Sequence, residues 1–177
     1  MINELSAKAK SSNNNAKVAF YVTFIAAVVI FGVSFILPRF SGLVGNVGLI
    51  MIVAAVLIYS KYVSPEYYYD VTHDSAGSAV FVVRMITGKR QSTFCRIGLA
   101  EIVKIERESA EERKKHKTPR DTKKYSYCPT LMPSITYRIY TRSRYEKAEI
   151  IIEVSDEFAS LLERYAAEAR LIEADEE

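Results

Sequence analysis

The chain has 177 residues, 49% of them hydrophobic and 25% charged, with a formal net charge of +3 and no tryptophan. That length holds one ordinary domain and a smaller element. Cys95 and Cys128 lie far apart, without a CxxC pair or histidines in ligand spacing, so they read as buried thiols, not as a metal centre or a disulfide framework.

The first 17 residues form a short N-terminal tail with Lys8, Lys10 and Lys17 against Glu4. Two uncharged apolar runs follow, 18–37 and 43–60. Each is long enough, at roughly 27–30 Å, to cross a hydrocarbon core. The first ends in Phe35-Ile36-Leu37-Pro38-Arg39, not in the small-x-small pattern of a cleaved leader. The two therefore predict a transmembrane helical hairpin over 18–63, reversed at Pro38 to Gly42. Asn46 is expected to cap the second helix, and Gly45, Gly48, Ala54 and Ala55 offer small residues for close packing. Lys8, Lys10, Lys17 and Lys61 flank one side and Arg39 the other, which places both termini in the cytoplasm of a cell with an inner membrane. Tyr21, Tyr59 and Tyr62 are expected at that inner interface. The spans hold no ionisable side chain, so transport or proton relay has little support.

From Ser64 the texture changes to short apolar stretches broken by turn residues. Strands are predicted at 67–72, 79–86, 91–97, 100–108, 125–128, 134–142 and 147–154, in antiparallel, hairpin-sized spacing. The last puts Ala148, Ile150, Ile152 and Val154 on one face, with Glu149 and Glu153 on the other. The period then switches. Phe158, Leu161, Leu162, Tyr165, Ala169 and Ile172 mark one face of an amphipathic helix capped by Ser155 or Asp156. Residues 174–177 form an acidic tail, and residues 155–177 together carry eight acidic against two basic side chains.

Val71-Thr72 with Asp74, Arg84 ahead of Gly88-Lys89-Arg90, and the apolar series Ile97, Leu99, Ile102, Val103 carry a family likeness. A seven-strand meander closed by one helix resembles the pleckstrin-homology (PH) superfold, and more closely the bacterial PH-like domains that follow a membrane helix pair. The resemblance implies an α+β membrane protein: an N-terminal transmembrane helical hairpin, then a PH-like antiparallel sandwich or barrel over 64–173 with one C-terminal helix. The chain departs from phosphoinositide-binding members in lacking a Trp and in lacking basic residues at the 73–78 turn, so inositol-phosphate recognition is not implied.

The stretch RKKHKTPRDTKK, residues 113–124, has seven basic side chains and one acid. Meander parity places the 109–124 loop at the membrane-near end, with the turns holding Lys89, Arg90, Arg142 and Arg144. Arg113, Lys114, Lys115, Lys117, Arg120, Lys123 and Lys124 would then join them as basic loops facing anionic lipid. Three readings stand for the run: a solvated loop, a lipid contact, and a contact with a protein partner or with the acidic tail. Nucleic acid is not an expected partner, since no recognition helix or stacking motif accompanies the run. No catalytic, metal or cofactor motif occurs, and His73, Asp74 and Ser75 read as a turn. The expected function is a non-enzymatic scaffold or sensor at the cytoplasmic membrane face, able to self-associate or bind a protein partner. The alternative is a ligand-gated effector whose barrel binds a soluble signal and whose hairpins oligomerise.

Overall fold

The computed structural model describes residues 5–9, 14–36, 41–143 and 146–176. The chain is α+β, with two apolar helices near its N-terminus, two mixed or antiparallel sheets and a C-terminal helix. It divides into two compact units, the helix pair over 12–65 and a sheet unit made from 1–11 together with 66–177.

In the helix unit, α1 (Asn14–Ile36) and α2 (Ser41–Ile58) are apolar on every side. A π-helical turn, Tyr59–Val63, extends α2. Both helices are long and apolar enough to cross a membrane, and only 11% of each apolar window is buried within the protein. The pair meets through small residues: Ala16, Ala27 and Ala55 are fully buried. A Cβ at Gly48 would stand 3.1 Å from the Phe31 backbone, so glycine is what lets the helices approach there. Asn46 lies inside α2, not at its start, and is exposed. It is therefore not the cap. Of the predicted reversal, Pro38 to Phe40 lie outside the described residues, and Ser41 and Gly42 are already helical.

The sheet unit begins before the helices. Strand β1 (Leu5–Lys8) pairs antiparallel with β2 (Pro65–His73), Leu5 opposite Val71 and Lys8 opposite Tyr68. The Ala9 N–H donates to the Tyr67 carbonyl (2.9 Å), and Lys8 pairs with Glu66 at 2.9 Å. The predicted N-terminal tail thus supplies an edge strand. With β3 (Ala79–Thr87) and β4 (Arg90–Gly98) the first sheet runs β1-β2-β3-β4. The β2–β3 turn is closed by Asp74, whose carboxylate accepts from the Ala76 and Ser78 N–H groups, with Gly77 at φ +82°. Where Val83 pairs with Cys95 and Arg84 with Thr93, a bulge leaves Phe94 unpaired.

After a 3₁₀ turn, β5 (Ile102–Ser109) starts the second sheet, and α3 (Ala110–Lys115) follows at once. Ser109 caps α3 and Glu112 reaches back, a complete capping box. The chain then enters β6 (Thr122–Ser126), β7 (Ile135–Arg142) and β8 (Lys147–Ile152), in the spatial order β5-β7-β8-β6. β6 lies parallel to β8, which corrects the all-antiparallel expectation. A parallel neighbour needs a crossover. Here the chain from β6 to β8 passes through β7, while residues 109–121 carry it from β5 at one edge of the sheet to β6 at the other.

One core joins the sheets and α4 (Asp156–Glu176): Tyr69, Val71, Phe81 and Val83 from the first, Ile139, Ile150 and Ile152 from the second, Phe158, Leu162 and Tyr165 from the helix. The Ser155 hydroxyl accepts from the Phe158 N–H and caps α4. Ile172, predicted on the packed face, is half exposed because the helix runs on past the core. Cys95 and Cys128 are free and half-buried, and burial pushes each thiol up to about 11.

Candidate functional site

The basic run does not form an end loop. In register, Ser109 lies opposite Ile135 at one end of β7, while Thr122 lies opposite Lys147, which pairs with Arg142 at the other end. The 109–122 segment is a strap that travels the length of the second sheet. This replaces the parity argument, which assumed a turn between antiparallel neighbours.

Beneath the strap lies a polar layer. Arg138 on β7 is 1% exposed and donates to both oxygens of Glu108 (2.8 and 2.7 Å) and to Glu149 (2.5 Å). Glu149 is also 1% exposed, although its alternation with Ile150 and Ile152 suggested a solvated face. A buried charge must be paired and hydrogen-bonded. The strap completes that pairing: His116 Nε2 lies 3.2 Å from both Glu149 oxygens, and the Thr118 hydroxyl donates to Glu149 at 2.8 Å. Burial by itself would raise the Glu149 carboxyl; the bonds from Thr118, His116 and Arg138 prevail and hold it below its ordinary value. Beside it, Glu106 is held low by Lys104 and by the Tyr140 hydroxyl, 2.8 Å away.

The run therefore divides by direction. Arg113 faces inward, donating to the Thr136 hydroxyl (3.2 Å) and the Pro133 carbonyl (2.8 Å). Lys123 pairs with Glu146 at 2.9 Å, and Lys147 with Asp121 at 3.1 Å. Lys114, Lys115, Lys117, Arg120 and Lys124 are exposed, and none makes an ion pair among the described residues. Lys89 and Arg90 are exposed at the β3–β4 turn, and Arg142 is exposed at the end of β7. Arg144 lies outside the described residues.

Of the aromatic candidates, Tyr21 and Tyr59 come to one end of the helix unit around Phe20, whose ring lies 5.2 Å from each. Lys61 sits over the Tyr62 ring at 5.4 Å. His73 is exposed, and Asp74 is engaged by turn backbone, so the two do not assemble with Ser75 into a catalytic arrangement. No group of three or more His, Cys, Asp or Glu side chains suited to a metal ion occurs among the described residues.

Sequence reasoning missed the buried Arg138–Glu108–Glu149 cluster. Two signals could have exposed it: the S-x-x-E capping box at Ser109–Glu112, which starts a helix inside the supposed loop, and Ile151, an apolar residue between Glu149 and Glu153 on the supposed wet face. Comparison with protein-family models, with curated proteins and with solved structures gave no match.

Proposed function

We propose that this is a non-enzymatic membrane-anchored protein whose PH-like domain acts as a scaffold or sensor at the cytoplasmic face. The observation that carries the reading is the pairing of β1 with β2. The strand before the apolar helices and the strand after them belong to one sheet, so a hairpin crossing a bilayer would return to the side it left. The lysines that flank those two points make that side cytoplasmic. The meander β1-β2-β3-β4, the second sheet and the helix packed into the shared core support the PH-like reading. On that reading the first strand of the domain precedes the helices, and the hairpin occupies the connection between the first two strands. The apolar side chains of the core that joins the sheets and α4 weigh toward a scaffold over a barrel that encloses a polar signal.

The lipid contact is narrower than the sequence suggested. Lys114, Lys115, Lys117 and Arg120 project from the strap and Lys124 from β6, each adding roughly 1 kcal/mol near an anionic leaflet, while Arg113 and Lys123 are engaged within the domain. The test is amide exchange of the full chain in nanodiscs of neutral or anionic lipid. Slower exchange over 113–124 in anionic lipid alone, lost when these five residues become Gln, is the expected result. Equal exchange in both lipids would remove the lipid contact and leave the strap as a cover for the second sheet.

A further inference from the structure

The helix unit holds a carboxamide with no partner among the described residues. Asn46 is the fifth residue of the apolar span Gly42–Val63, about 6 Å along the helix from its start. Its side chain is exposed and makes no hydrogen bond among those residues. Ser34 and Ser60 differ, since each returns its hydroxyl to a carbonyl of its own helix, Phe31 at 2.5 Å and Leu57 at 3.2 Å. A carboxamide has two N–H donors and an acceptor, more than one turn of its own backbone can engage. Leaving such a group unpaired in hydrocarbon costs several kcal/mol.

Asn46 also lies on a seam. With Leu49, Val53 and Val56 it follows the 3-4-3 spacing of a helix-pairing face, and those three are each more than half exposed. The contact with α1 uses another face of α2, where Gly48 and Ala55 are buried. Between the two faces a cleft of about 560 Å³, lined by Gly42, Gly45 and Leu49 with Phe31 and Phe35 of α1, opens beside Asn46. An all-apolar helix offers a seam in every heptad frame; Asn46 singles out this one.

What covers the seam follows from the chemistry of the amide. Copies of the chain enter a bilayer in one orientation, set by the same flanking lysines. Two α2 helices that meet there run parallel and bring Asn46 to the same depth. A carboxamide both donates and accepts, so it is its own complement across a two-fold axis. A single Asn at a core position of a parallel helix pair fixes its register in this way. Gly42, one turn earlier, has nothing within 4 Å of where a Cβ would stand, which leaves room for a neighbouring backbone.

We infer that α2 pairs in parallel with α2 of a second copy along Asn46, Leu49, Val53 and Val56, the two Asn46 carboxamides hydrogen-bonding to each other. The inference rests on the reading that the helices span a bilayer. Solvation of Asn46 from the headgroup level is the competing arrangement, and it predicts a monomer.

Sedimentation equilibrium of the full chain in density-matched detergent, with its native cysteines, reads the association directly. A dimer is expected. Asn46→Ala is expected to raise its dissociation constant roughly 5- to 30-fold. Asn46→Gln should keep most of the association, and Val47→Ala, exposed but turned away from the seam, should leave it unchanged. Oxidative cross-linking in liposomes then locates the contact. The full chain carries Cys95→Ala and Cys128→Ala, with its fold checked by melting temperature, and one new cysteine. Leu49→Cys and Val53→Cys are expected to cross-link and Val47→Cys is not. A monomeric wild type, a dimer indifferent to Asn46→Ala, or cross-linking at 47 in place of 49 and 53 overturns the seam. A membrane-impermeant maleimide separates this from the reading beneath it. If it labels Val53→Cys in intact liposomes, the span falls and the inference with it. If Val53→Cys is shielded while the wild type is monomeric, the seam falls and the span stands.

Discussion

Replacing Arg138 with Met tests whether the strap and the second sheet are joined electrostatically. The guanidinium makes three charge-assisted bonds to Glu108 and Glu149, and all three side chains are at least nine-tenths buried. Methionine fills much of the volume but leaves two carboxylates enclosed, Glu149 with His116 and Thr118 as partners and Glu108 without the guanidinium that held both its oxygens. Breaking one side of a buried ion pair costs about 3–5 kcal/mol, a fall in the domain's melting temperature of roughly 10–20 °C. The sign of the pH dependence separates this cause from lost packing. In the native chain Glu149 is held below its ordinary value of 4.5, so its stabilisation is present above that pH and fades as pH falls through the folded value. Without Arg138, burial dominates at Glu149 and its carboxyl takes up a proton more readily when folded, so Arg138→Met gains stability as pH falls from neutral toward 5. Thermal melts of both proteins in detergent across pH 4.5–8 read the two slopes. Adding Glu108→Gln and Glu149→Gln to Arg138→Met is expected to restore part of the loss. Parallel slopes, or a loss under about 1 kcal/mol, would refute the charge argument.

Removing residues 1–9 is expected to cost the sheet unit about 2–4 kcal/mol, through the lost β1 ladder and the burial of Ala9, and to hasten proteolysis around β2. Unchanged protease resistance would show that β1 is dispensable. Gly48→Leu is expected to separate α1 from α2, since its Cβ meets the Phe31 backbone at 3.1 Å, at a cost of about 1–3 kcal/mol in detergent; Gly32→Ala, with nothing within 4 Å, serves as the tolerated comparison. Equal melting of the two variants would contradict the close approach. With both thiols pushed up to about 11 by burial, Cys95 and Cys128 are expected to alkylate far more slowly at pH 8 than glutathione until the domain is denatured. Rapid labelling of the folded chain would contradict their burial.

Much of the fold was legible because its signals are long and periodic. The two uncharged runs, the strands β2 to β5, β7 and β8, and the stripe Phe158-Leu162-Tyr165 each repeat one pattern over many residues. β1 was not legible: Leu5-Ser6-Ala7-Lys8 is four residues with small or polar members, and its reason to be a strand lies in β2. The parallel placement of β6 escaped for a similar reason. TKKYS alternates weakly, and its neighbour in space is β8, beyond the intervening β7. At the candidate site, charge misled. Glu149 and the 113–124 run both read as solvated because charged residues normally are, whereas Arg138 and His116 bring Glu149 and part of the run together under cover. Nothing local in the sequence names those partners.

The pairing of Leu5 with Val71 also sets an order of events during synthesis. β1 leaves the ribosome well before its partner, which follows only after both apolar helices have been made. Until then those four residues carry an open strand edge, and the first sheet cannot close. Contacts between segments so distant in sequence form late. A protease or chaperone acting on these residues would therefore meet them before their partner does, and cutting within Leu5–Lys8 would remove a structural strand.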